Sequence, residues 1–231
     1  MVAANRIEVK KTYKLFINGA FPRGESGRVF EVLSKKGHFI ANPCLASRKD
    51  LRDSVTAARA AQHGWAKATA YNRGQILYRI AEMLEGRSEQ LAAEIAATSA
   101  TTPLKAQAMV SEAIDRWVWY AGWSDKLSAV SGATNPVAGP YYNFTIPEPL
   151  GVVVVATADS FIDFIDAIAA AVVSGNSVIA LLSGGLSVPA MTFAEVLATS
   201  DLPPGVINIL TGSLDELAPW AASHMDVDGF D

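Results

Sequence analysis

The chain has 231 residues, half of them apolar and only 18% charged, against about 25% charged in an ordinary soluble domain. A chain of this length buries a sizeable core without help from disulfides or metals, and its apolar excess points to an interface. Nineteen Lys and Arg against 23 Asp and Glu give a net charge of −4 with no basic run to track phosphates, which excludes nucleic acid as an expected partner.

Met1 to Arg6 carry no apolar run of signal-peptide length, and the most apolar stretch, 161–173, is interrupted by Asp163 and Asp166. A soluble cytoplasmic chain without a membrane partner is therefore expected. Next come residues 13–17 and 20–22, which flank Asn18-Gly19, a pair that accepts the positive φ angles of a tight hairpin. Strands are predicted over 28–33 and 38–42. Cys44, the single cysteine, follows Asn42-Pro43 with no electropositive neighbour, so it reads as a structural or exposed thiol. His38, His63 and His224 lack metal-ligand spacing, and no metal site is expected; His38 and His224 read as surface or cap residues.

Ser47 and Asp50 have the spacing of a capping box, which predicts a helix over 49–62. Three further helices are predicted over 72–85, 88–98 and 103–127. Ile76, Ile80, Met83 and Leu84 share a face of the first, while helical spacing groups Trp117, Tyr120 and Trp123 on the last, which favours core packing over a stacking platform. The Gly, Pro, Ser and Ala content of 131–140 predicts a linker, and the alternation over 141–146 a strand that wants a partner.

Past Pro149 the pattern becomes that of a right-handed parallel βαβαβ unit: strand 151–156, helix 160–173, strand 177–182, helix 187–199 and strand 206–210. Gly175 ends the first of these helices, and Pro203-Pro204-Gly205 turns into the third strand. Asp159 or Ser160 is placed as an N-cap and Asp163 favours the positive helix start, which leaves no catalytic role for these carboxylates. Ser183-Gly184-Gly185-Leu186-Ser187 is either a weak phosphate loop or a helix start capped by Ser187, and the second is the ordinary outcome. The expected fold is α/β, an incomplete Rossmann-like parallel sheet with flanking helices plus a small antiparallel N-terminal and oligomerisation element. Its parts are 1–148 and 149–231, expected to form one unit.

The segments Leu15-Phe16-Ile17-Asn18-Gly19, Arg73-Gly74, Tyr120-Ala121-Gly122-Trp123, Pro147-Glu148-Pro149-Leu150-Gly151-Val152-Val153, Ser174-Gly175-Asn176-Ser177-Val178, Leu202-Pro203-Pro204-Gly205-Val206-Ile207-Asn208-Ile209-Leu210-Thr211-Gly212 and Ala222-Ser223-His224-Met225-Asp226-Val227-Asp228 resemble, in order and spacing, the aldehyde dehydrogenase superfamily. Within it the chain is most similar to the degenerate second domain of the two-domain sixteenth family. The resemblance covers nearly the whole chain but only about the first half of a typical member. It implies NAD or NADP chemistry through a cysteine nucleophile, an oxyanion-binding asparagine and a glutamate base.

The cysteine and glutamate are implied to lie past residue 231, so no catalytic residue is expected here. Where the family writes Pro-Trp-Asn-Phe-Pro this chain has Ala158-Asp159-Ser160-Phe161-Ile162, which puts Ser160 at the asparagine. Leu181 and Gly184 stand where the family places a lysine and a glutamate for the adenosine ribose. Thr157, Ser160 and Ser183 remain as cofactor-binding candidates for NAD or NADP, with weak binding or none expected. The strand over 141–146 matches an oligomerisation element of the family. Three functions are then open: a non-catalytic subunit that forms a homo-oligomer or a complex with a full-length aldehyde dehydrogenase, one part of a split or truncated NAD(P)-dependent enzyme, and, ranked last, a dinucleotide sensor.

Overall fold

The computed structural model describes residues 10–99, 101–156 and 158–231. Asn18 and Gly19 take φ of 52° and 72°, the left-handed pair that closes a tight hairpin, and Ile17 bridges Ala20. The hairpin also does something the sequence did not predict. Phe16 bridges Ile209, with Phe16 N donating to the Ile209 carbonyl at 3.0 Å and Ile209 N returning the bond at 2.8 Å. An N-terminal segment thus covers part of a sheet edge built almost two hundred residues later. β1 (Val32–Leu33) and β2 (Phe39–Ala41) pair antiparallel with a register break at Val32/Leu33, and the pairing extends loosely through the bridge Val29↔Cys44.

α1 (Arg48–Lys67) starts at the predicted capping box, where Ser47 Oγ accepts from Asp50 N and Asp50 Oδ2 accepts from Ser47 N at 2.8 Å. α2 (Ala70–Glu85), α3 (Ser88–Thr98) and α4 (Pro103–Trp123) follow as predicted, except that α4 stops at Trp123. Ser124 Oγ donates to the Ala121 carbonyl, a local competitor for helix continuation, and the chain resumes as the short α5 (Leu127–Ser131). Trp117 is fully buried; Trp119 projects outward and packs edge-on to Tyr120 at 4.8 Å.

The predicted linker is partly a strand: β3 (Ala133–Thr134) pairs antiparallel with β4 (Phe144–Thr145). Asn135 extends the ladder by donating from Nδ2 to Asn143 Oδ1 (2.9 Å) and Thr145 Oγ1 (3.1 Å). The partner expected for the 141–146 strand is thus supplied along one edge by the chain itself.

The centre is a parallel four-stranded sheet in the order β7-β6-β5-β8, formed by β5 (Val152–Val155), β6 (Ser177–Leu182), β7 (Ile207–Thr211) and β8 (Gly229–Phe230). α6 (Phe161–Val173) and α7 (Ser187–Leu197) link the first three strands, and α8 (Leu214–Ala222), absent from the predicted elements with β8, leads to the last. The alternation of β6 separates two cores: Val178, Ala180 and Leu182 face α2, α3, α4, α6 and α7, whereas Ile179 and Leu181 face α1 and α8. On the larger side Phe193 is central, stacked near Trp117 (5.8 Å between ring centres) and edge-on to Phe161 (6.3 Å) and Phe164 (5.8 Å).

Gly151 opens β5 with φ +134°, and a Cβ there would overlap the Asp228 carboxylate. That carboxylate accepts from Val152 N at 2.8 Å and pairs with Arg59 at 2.6 Å. It ties β8 and α1 to the start of the sheet, and so helps fix where the opposite ends of the strands come together. Among the described residues no helix is long and apolar enough to cross a membrane.

Candidate functional site

The strand order 3-2-1-4, counted along the chain, places the switch point of the sheet at β5, and ligands of such sheets bind outside the carboxyl ends of the strands. A cavity of about 360 Å³ lies there, between the segment after β5 (Ala158 to Phe161) and the turn after β6 (Ser183 to Leu186). Its remaining walls are Ile95, Thr98, Ser99, Met109 and Pro189, and its volume is within the usual range of small-molecule sites, about 300–1,000 Å³.

Of the three candidates, two reach this cavity. Ser160 is the N-cap of α6: its hydroxyl accepts from Asp163 N at 3.2 Å and donates to Asp163 Oδ2 at 2.7 Å. Both capacities are directed into the cap, so the hydroxyl is a poor oxyanion donor. Ser183 lies opposite, exposed and without a side-chain cap bond, before a single 3₁₀ turn, Gly184–Leu186. Thr157 lies outside the described residues.

The 3₁₀ turn corrects the expected cap at Ser187. That residue is already helical, with φ −55° and ψ −30°, and its buried Oγ has no hydrogen-bond partner; the tightened turn ahead of it moved the helix start back to Ser183. Gly185 is required where it stands, since a Cβ would lie 2.7 Å from the Thr98 carbonyl oxygen. The close approach brings the end of α3 against the turn and closes the cavity on that side. Leu181 is buried in the core under α1, and Gly184 presents only backbone. Neither offers a side-chain donor to a ribose.

The walls Thr98, Ser99 and Met109 went unrecognised because no local motif marks them; they arrive by packing of α3 and α4 against α6 and α7. Cys44 is buried beneath α1, with its N–H on the Tyr13 carbonyl and its carbonyl accepting from Thr211 Oγ1 at 2.7 Å. This is a structural role. Asp166 lies 3.7 Å from Arg116 Nε, and His224 accepts from Asp226 N. Among the described residues no group of three His, Cys, Asp or Glu could hold a metal ion.

A larger groove of about 780 Å³ runs between α2 and α4, lined by Tyr71, Tyr78, Val118, Arg79 and Lys126 among others. Its Ser124 hydroxyl donates to the Ala121 carbonyl and its Lys126 pairs with Asp125 at 3.1 Å, so size alone does not make it the better site. Behind the crevice, α3 carries a buried polar cluster in which Glu94 Oε1 accepts from Thr192 Oγ1 (2.9 Å) and Gln90 Nε2 (3.0 Å). Burial pushes the Glu94 carboxyl above the usual carboxylate range, against the opposing pull of those hydrogen bonds and of Lys11.

The family profile "Aldehyde dehydrogenase family" matches residues 22–230. The chain is 33% identical over 233 residues to cytosolic 10-formyltetrahydrofolate dehydrogenase of Xenopus tropicalis, an alignment that covers 96% of this chain and 26% of that protein. It is 31% identical over 222 residues to the mitochondrial benzaldehyde dehydrogenase of Antirrhinum majus, covering 93% of this chain and 41% of the relative. Its fold superposes with a TM-score of 0.89 on an NAD+ complex of aldehyde dehydrogenase from Bacillus cereus, at 26% identity over 95% of this chain and 45% of that one. The chain therefore spans about a quarter of the length of the first of these relatives and under half of the solved structure. With its motifs, its sheet order and this match in agreement, the chain belongs to the aldehyde dehydrogenase family.

Proposed function

We propose that the chain acts as a non-catalytic, aldehyde-dehydrogenase-like subunit that associates with itself or with an active member of the family. The observation that carries this reading is the β3–β4 hairpin. Tyr141, Tyr142, Phe144 and Ile146 are 75%, 80%, 52% and 61% exposed, on a two-stranded ribbon whose outer edges keep unpaired backbone groups. A two-stranded ribbon with an apolar, exposed face is marginal in water and gains from a partner.

The crevice supports the same reading. Among the described residues its walls hold no cation, and the hydroxyl at the position the resemblance gives to the oxyanion asparagine is engaged with its own helix. An NAD pyrophosphate needs backbone amides or cationic side chains; the α6 start is capped from within by Ser160 and Asp163, and the described residues that line the crevice include no Lys, Arg or His. A cytoplasmic location belongs to this reading, although the relatives named above include both cytosolic and mitochondrial proteins.

The test is size-exclusion chromatography with light scattering, together with affinity purification from the protein's own cells. A dimer or larger assembly, or a dehydrogenase captured with the chain, is expected. A compact monomer that captures no dehydrogenase overturns the proposal.

The close superposition on 45% of an NAD-bound dehydrogenase favours a second reading, a part of an NAD(P)-dependent enzyme whose catalytic half lies on another chain. Under it, a mixture with the complementary half yields aldehyde-dependent NADH.

A further inference from the structure

A cavity of about 440 Å³ opens between the start of α1 and the end of α8, and its walls carry one sign of charge. Arg48, Lys49 and Arg52 of α1 meet Trp220 of α8 and His224 just past it, with the buried Leu51 as the apolar part of the wall. Among the described residues that form it there is no Asp or Glu, in a chain whose net charge is −4. The acidic residue of the first turn, Asp50, is turned into the cap, where its carboxylate accepts from Ser47 N, Ser47 Oγ and Glu25 N. The volume lies within the range of small-molecule sites, about 300–1,000 Å³.

Arg48 sets the chemistry. Its guanidinium carbon lies 3.3 Å over the centre of the Trp220 ring, a stacked cation–π contact, and among the described residues it has no carboxylate partner. The stack fixes the plane of the fork and leaves its N–H edge open, the geometry that meets two oxygens of one oxyanion. Lys49 and Arg52 hold Glu25 at 3.2 Å and the adjoining Asp53 at 2.9 Å, but all four side chains are roughly half-exposed, and pairs of that kind are weak enough to give way to a ligand's charge. His224 Nδ1 accepts from Asp226 N at 3.2 Å, which puts the ring proton on Nε2 as a further donor. Three cations answer a dianion better than a monoanion. The indole, 45% exposed beneath the guanidinium, offers apolar surface beside them.

We propose that this cavity binds a phosphate monoester with an apolar body. Arg48 takes two phosphate oxygens through its fork, Lys49 and Arg52 supply further positive charge, and the body lies against Trp220 and Leu51. The site shares no residue with the crevice or with the β3–β4 hairpin, so it goes beyond the subunit reading and is tested separately from it.

Phenyl phosphate, phenylacetate and inorganic phosphate separate the parts of such a ligand. Calorimetric titration into the full chain at about pH 7.5, where the monoester is a dianion, is expected to show saturable phenyl phosphate binding. Phenylacetate, which lacks the second charge, and inorganic phosphate, which lacks the ring, should each bind at least about fivefold more weakly. Arg48→Ala should weaken phenyl phosphate at least about tenfold, and Arg48→Lys about threefold, because a lysine keeps the charge without the planar fork. Lys35→Ala removes a cation from the turn between β1 and β2 and should leave binding unchanged. Arg48 and Trp220 lie outside both cores, so the Arg48 variants should keep the native urea midpoint and a loss of binding reports on the site. Absence of saturable phenyl phosphate binding overturns the proposal, as does an Arg48→Ala chain that binds it like the native one or a Lys35→Ala chain that loses it equally. Phenylacetate bound as tightly as phenyl phosphate overturns the choice of phosphate, and inorganic phosphate bound as tightly overturns the apolar body.

Discussion

β6 and the β3–β4 hairpin are both apolar in composition, yet all six residues of β6 are buried whereas every residue from 136 to 148 is exposed. The difference lies in what covers them. β6 has strands on both sides, α1 and α8 on one face and α6 and α7 on the other, so its side chains and backbone groups are satisfied within the chain. The hairpin has one strand pairing, an asparagine ladder and a local contact between the Tyr142 and Phe144 rings at 5.3 Å. Apolar surface that its own chain covers makes stability; apolar surface left outside makes affinity for a second chain.

Phe193→Ala tests the first half of that statement most severely. The ring joins α7 to Trp117 on α4 and to Phe161 and Phe164 on α6, and its removal leaves a cavity where several elements meet. A loss of about 3–5 kcal/mol in urea unfolding is expected, the range for large aromatic truncations in a packed core. A loss under about 1 kcal/mol would mean that this core is far looser than its burial implies.

The double change Tyr142→Ser with Phe144→Ser probes the other half. Both rings are exposed, so the stability of the isolated chain should stay within about 0.5 kcal/mol of the native value. Association, followed by light scattering across a dilution series, should weaken at least tenfold, about 1.4 kcal/mol. Reduced stability with unchanged association would make the hairpin part of the fold and remove it from the interface.

The contrast also explains what could be read in advance. Helix starts were legible where their caps are local: Ser47 with Asp50 holds the bonds its spacing predicts, and of the two candidates Asp159 and Ser160 it is Ser160 that caps α6. α8 carries the same signal, Ser213 Oγ accepting from Glu216 N, but Pro219 inside it reads as a breaker and hid the helix. β3 is two residues long and depends on Asn135, so composition alone marked it as linker. The cap at Ser187 failed because two glycines ahead of it allow a 3₁₀ turn. Within the crevice, Ser160 was reached through the family resemblance and Ser183 through the glycine loop after β6, whereas Thr98, Ser99 and Met109 come from α3 and α4, which pack in from a distant part of the chain. The pairing of Phe16 with Ile209 was beyond reach for the same reason: a contact across almost two hundred residues has no local signature.

The smallest effect belongs to the seam between covered and uncovered surface, where Lys11 and Tyr13 cross α3 and α7. Glu94 Oε2 is buried there without a hydrogen-bond partner, and desolvation raises its pKa; the hydrogen bonds from Gln90 and Thr192 and the charge of Lys11 oppose the rise, while Glu195 adds to it. The Tyr13 hydroxyl completes the group at 3.5 Å. A carboxyl with a raised folded-state pKa binds its proton more tightly in the folded chain than in the unfolded one. Its contribution is therefore fully present below the unfolded value of about 4.3 and is lost as pH rises through the folded value. Glu94→Gln keeps an acceptor for Gln90 and Thr192 and removes the buried charge, and Lys11 retains Glu195 at 2.9 Å. The variant should be more stable than the native chain at pH 7.5, by up to about 1 kcal/mol after allowance for partial exposure, and indistinguishable from it near pH 4. Urea unfolding at the two pH values checks this. A variant less stable than the native chain at pH 7.5 would show that the carboxylate is held there by Lys11 as a favourable pair, and that the seam is sealed by charge.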